Sequence, residues 1–76
     1  MNNHTVTFPD GTTDNKKNSK KEYPYAWALL GADGEWSVGG FSVSEKSAAN
    51  AMRNFLSKSY CTAVDGAMVP VTIEEI

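Results

Sequence analysis

Cysteine and histidine each occur once in this 76-residue chain, as Cys61 and His4. An internal disulfide is thereby excluded, and one chain cannot assemble a Cys/His zinc set. Apolar runs are short everywhere, well below the roughly 18 residues of a membrane-spanning helix. The start, MNNHTVTF, has neither the basic residues nor the apolar stretch of an export signal. A cytoplasmic, unexported protein with no membrane contact is therefore expected, and the Asn3-His4-Thr5 glycosylation pattern is read as chance. From Asp10 to Glu22 there is no apolar side chain. Residues 23–76 must then supply nearly all of the burial, and a single core of this size yields about 3–5 kcal/mol when nothing staples it.

What charge there is lies unevenly. The formal net charge is −2. Residues 1–21 carry Lys16, Lys17, Lys20 and Lys21 against Asp10 and Asp14, a net of +2, and residues 22–76 carry a net of −4. A basic arm is joined to an acidic body. In the arm, Thr5–Phe8 alternates and reads as a short strand that ends at the turn residues Pro9-Asp10-Gly11. The lysine-rich stretch that follows reads as a flexible connector. Two units result: residues 1–22, a short strand and turn with a flexible lysine-rich arm, and residues 23–76, a compact ββαβ domain.

Within the body, Tyr25–Leu30 alternates large and small, with Tyr25, Trp27 and Leu29 on one face and Ala26, Ala28 and Leu30 on the other. Asp33-Gly34 predicts a two-residue hairpin turn pairing Leu29 with Val38. Counting on by twos would send Phe41 and Val43 to the wrong side, so a one-residue bulge is expected at Gly39-Gly40. It would set Phe41 opposite Trp27 and Val43 opposite Tyr25, making one apolar face. The alternative, a glycine-rich phosphate loop, lacks the lysine and hydroxyl spacing that such loops need. Ser44 caps a helix over residues 45–59 whose stripe is Ala48, Ala51, Met52, Phe55, Leu56 and Ser59, with Val43 and Ala48 placed as a hydrophobic staple. Met68–Ile73 reads as a last strand, assigned to an edge because Pro70 cannot donate a ladder bond. The predicted fold is α+β: a three-stranded antiparallel sheet of order 2-1-3 with one helix on one face, and Val6 and Phe8 as a short extra N-terminal strand at an edge.

The chemistry is mostly subtractive. A lone histidine beside a flexible arm gives no base for a nucleophile. Glu74-Glu75 and the turn pair Asp33/Glu35 read as solvated, and Cys61 as a structural thiol. No enzyme, cofactor or metal is expected. Two binding readings remain. In the first, Asp33, Glu35, Glu74 and Glu75, with the small-residue face of Ala26, Ala28 and Leu30, dock another protein that carries a basic surface, or a second copy of the chain. In size, compactness and want of catalytic groups the chain resembles the small orphan proteins of bacteriophages and mobile elements, anti-CRISPRs among them. That resemblance implies a stoichiometric inhibitor of a host or defence nucleic-acid enzyme. In the second reading, Lys16, Lys17, Lys20 and Lys21 with Tyr23 bind single-stranded nucleic acid through phosphate contacts and stacking.

Overall fold

The structure, a computed structural model, describes residues 1–19, 21–59 and 61–75. Its elements are β1 (Asn2–Thr7), β2 (Thr13–Ser19), β3 (Tyr25–Leu30), β4 (Trp36–Ser42), α1 (Glu45–Leu56) and β5 (Asp65–Glu75). The strands form one antiparallel sheet in the order β2-β1-β5-β3-β4, curled into a half-barrel. The mixed α+β class holds, but the three-stranded sheet of order 2-1-3 is corrected to five strands, two of them from the N-terminal residues.

One loop design, used twice, explains much of the difference. In Phe8–Thr12 and in Gly31–Glu35 a four-residue turn closes on glycine: the Gly11 N–H donates to the Phe8 carbonyl at 2.9 Å and the Gly34 N–H to the Gly31 carbonyl at 3.0 Å. Both glycines have positive φ, 89° and 83°. The aspartate before each accepts from the backbone two residues on, Asp10 from Thr12 N–H at 2.9 Å and Asp33 from Glu35 N–H at 3.1 Å. This is the three-residue hairpin loop with a glycine bulge. In the first hairpin it turns residues 13–19 back along β1 as β2, where composition alone reads a flexible connector. In the second it lengthens the loop by one residue. The register becomes Leu30↔Trp36, Leu29↔Ser37 and Ala28↔Val38, and the one-residue slip moves Trp36 and Val38 to the opposite face from that expected.

The glycine bulge is present: pairing passes from Ala28↔Val38 to Trp27↔Gly40, leaving Gly39 extra, and continues to Ala26↔Phe41. Val38 and Phe41 do share a face, but it is the face of Ala26 and Ala28, away from Trp27. That inner face holds the main core, with Val6, Phe8, Ala26, Ala28 and Val69 buried and Trp36, Val38, Phe41 and Val71 packed on them. Small side chains at Ala26 and Ala28 let the sheet curl tightly around Val6 and Phe8. On the other face α1 contacts β3, β4 and β5, Ala48 is fully buried, and the Trp27 ring lies 5.7 Å from that of Phe55. Trp27 also explains why both residues of the bulge are glycine. A Cβ built on Gly39 would lie 2.1 Å from Cζ3 of the indole, and one on Gly40 would lie 3.0 Å from its Nε1.

Two further expectations change at the ends of elements. Ser44 caps α1, its Oγ accepting from Ser47 N–H at 3.2 Å, but the helix ends at Leu56 rather than residue 59, and Val43 is 63% exposed and staples nothing. β5 lies inside the sheet, not at its edge. Its first half pairs with β3, from Leu30↔Asp65 to Tyr25↔Pro70, and its second with β1, from Val6↔Val71 to Asn2↔Glu75. Pro70 sits where the strand changes neighbours, so its missing N–H does not interrupt one continuous ladder.

Candidate functional site

A half-barrel leaves its outer strands unclosed. Between β2 and β4 lies an open groove of about 430 Å³ lined by His4, Lys16, Lys17, Tyr23, Val38, Gly39, Gly40 and Phe41. Each wall has a local cause.

His4, Val6 and Phe8 recur every second residue, so β1 turns all three inward. His4 is 1% exposed, and its Nε2 accepts a hydrogen bond from the Tyr23 N–H at 3.0 Å. Its ring lies 5.8 Å from that of Tyr23 and edge-on to that of Phe41 at 5.4 Å. The histidine is a tether: it draws the β2–β3 connection, with Tyr23, over the interior. The ring is flanked by two aromatics, and its Nε2 already accepts a hydrogen bond.

The lysines reach the groove through a second bulge. Pairing runs His4↔Lys16 and then Asn2↔Ser19, three steps on β2 against two on β1. In a regular strand neighbouring residues point to opposite faces; the extra residue re-aims the backbone, and both Lys16 and Lys17 line the same groove. Asp14 stands 4.0 Å from the Lys16 ammonium, both side chains well exposed, a contact that removes little of its charge. The facing wall is Val38, the side-chain-free Gly39-Gly40 backbone and Phe41. The groove therefore has two positive groups on one wall and an apolar, partly aromatic surface on the other, and among the described residues no carboxylate lines it.

Of the residues read from sequence, Lys16, Lys17 and Tyr23 come together here. Lys21 is exposed in the β2–β3 connection, and Lys20 lies outside the described residues. The acidic set is divided. Asp33 and Glu35 occupy the β3–β4 turn, at the same end as Asp65, while Glu74 and Glu75 pair with Asn3 and Asn2 at the other end of β5, about 30 Å away. Ala26 and Ala28 are fully buried under the chain's own N-terminal strand, and Leu30 is half-buried. Sequence reasoning missed His4, Val38, Gly39, Gly40 and Phe41 as groove residues. The signal for His4 was its two-residue spacing from Val6 and Phe8.

Other reactive groups stand apart. Cys61 is half-buried in the connection from α1 to β5. The Asp10 carboxyl is held below its ordinary pKa, chiefly by the Thr12 hydroxyl at 2.6 Å and then by the Thr12 amide, which is loop capping. Among the described residues no group of His, Cys, Asp and Glu could hold a metal ion, and no helix is long and apolar enough to cross a membrane. Compared with known proteins, the chain matches no family model, no curated protein and no solved structure.

Proposed function

We propose that this protein is a non-enzymatic binding module that holds single-stranded nucleic acid in the groove between β2 and β4. The observation that carries this reading is the β2 bulge that sets Lys16 and Lys17 side by side on one wall, with Tyr23 and Phe41 lining the same groove. Lysines neutralise backbone phosphate and aromatic faces accept any base, which is the pairing of groups that single strands need. The acidic remainder of the surface confines attraction for a polyanion to this edge. A cytoplasmic setting is part of the proposal, supported by a single unpaired thiol.

The test is binding of a labelled single-stranded oligonucleotide at graded salt. Each phosphate contact on a single strand contributes a slope of about −0.7 in log K against log salt, so Lys16→Ala with Lys17→Ala should flatten the slope by about 1.4. An unchanged slope, or no binding at low salt, refutes the reading.

The acidic exterior favours a second reading, a stoichiometric protein binder such as an inhibitor of a nucleic-acid enzyme, with Asp33, Glu35 and Asp65 at one end of the sheet as the contact. It predicts capture of a basic partner that survives the double lysine substitution and fails on Asp33→Lys with Glu35→Lys.

A further inference from the structure

Both edge strands that border the groove are bulged, β4 at Gly39 and β2 beside Lys17, and the β2 edge carries lysines. Bulges and edge lysines interrupt the even row of N–H and C=O groups that an added strand requires, so the groove is poorly suited to an extended peptide. Its volume, about 430 Å³, falls in the range of sites for one small ligand, about 300–1,000 Å³. Its lining is two-ended, cationic at Lys16 and Lys17 and apolar at Val38 and Phe41. Tyr23 lines it as well, its backbone N–H donating to His4 Nε2. The Gly39-Gly40 backbone lies in the wall beside Phe41, and a Cβ on either glycine would run into Trp27.

From these features we infer that the groove is a site for one nucleotide: a single unpaired base lies against Phe41 and Tyr23 while its phosphate is held by Lys16 and Lys17. This rests on the reading of the groove as the binding site and names what enters it. The His4 tether and the two bulges hold these groups through the chain's own backbone contacts, and groups held in this way lose less entropy on binding. A base within a duplex is stacked on both sides and cannot enter.

The ligand chemistry is a nucleotide's, either free or as one unit of a strand. The experiment is a set of NMR titrations of the isotope-labelled full chain with uridine 5′-monophosphate, ribose 5-phosphate, inorganic phosphate and a tetranucleotide. The mononucleotide should shift amides at Lys16, Lys17, Tyr23 and Gly39–Phe41 and bind about 5- to 150-fold more tightly than ribose 5-phosphate, the contribution of stacking one base. Tyr23→Leu, which keeps the backbone N–H that His4 accepts from, should lower mononucleotide affinity while leaving that for inorganic phosphate unchanged. Equal affinity for mononucleotide and ribose 5-phosphate overturns the inference without reference to any variant. A tetranucleotide that binds through the lysines with no dependence on the base or on Tyr23 overturns the nucleotide site and leaves the single-strand reading standing. A tetranucleotide no tighter than the mononucleotide supports the site and refutes the single-strand function.

Discussion

Replacing Gly39 with alanine adds one methyl group, and the structure says where it goes. The new carbon would lie 2.1 Å from Cζ3, 2.2 Å from Cε3 and 2.8 Å from Cη2 of Trp27. The ring cannot easily retreat, because it is 6% exposed and stands against Phe55 of α1. Either the indole rotates out of its site or the bulge opens, and overpacking of this kind costs about 1–3 kcal/mol or more. Set against about 3–5 kcal/mol for a core of this size, that is a large share of the stability. Thermal denaturation should show a midpoint lower by about 4–24 °C, on a scale of about 4–8 °C per kcal/mol for a domain of this length. Gly40→Ala is the graded comparison, since its Cβ would meet Nε1 at 3.0 Å, and it should cost less. The double-mutant cycle isolates the cause: in a Trp27→Leu background the cost of Gly39→Ala should fall by about 1 kcal/mol or more. If Gly39→Ala melts with the parent protein, or costs as much with leucine at position 27, the indole is not what holds that position to glycine.

Three further outcomes follow from the same structure. Phe8 is 6% exposed in the inner core, so Phe8→Ala should cost about 3–5 kcal/mol and leave the chain largely unfolded in urea titrations at 25 °C, whereas a dispensable N-terminal arm would tolerate it. The Thr12 hydroxyl and amide hold the Asp10 carboxyl below its ordinary pKa, and a folded-state value below the unfolded one adds stability that is lost as pH falls through it. An NMR titration should therefore place the Asp10 midpoint lower in the folded chain than in the urea-unfolded chain; equal midpoints would contradict the loop hydrogen bonds. Ser44→Ala removes the acceptor for the Ser47 N–H and should cost about 1 kcal/mol in the same denaturation assay, with no effect on ligand binding in the groove.

How much of this was legible varies element by element. The Ser44 cap and the helix stripe follow from local chemistry, and local chemistry decided them. The glycine bulge was also readable, because two adjacent glycines inside a strand have few other uses. Its phase was not. Asp-Gly serves hairpin loops of two residues and of three, and only the backbone closure of Gly31 on Glu35 shows which is used. That one residue decides which face Trp36, Val38 and Phe41 take. β2 escaped notice for a different reason: an edge strand at the rim of a half-barrel has little apolar surface to bury, so TDNKKNS carries no alternation of hydrophobicity to find. Pro70 misled because the edge-strand rule assumes one pair of neighbours along the whole strand, and β5 has different neighbours above and below it. Lys16, Lys17 and Tyr23 could be named as a set from composition. The opposite wall could not, since it reaches them only through the curl of the sheet.

The central claim is that the N-terminal hairpin folds back across β3–β4 and, in doing so, builds the groove. The most direct measurement is a nuclear Overhauser spectrum of the free protein. Cross-peaks between the His4 imidazole and the Phe41 ring, whose centroids are 5.4 Å apart, together with contacts from His4 to the Tyr23 amide, are the predicted result. Random-coil shifts through residues 1–22 and no contact between His4 and Phe41 would contradict it.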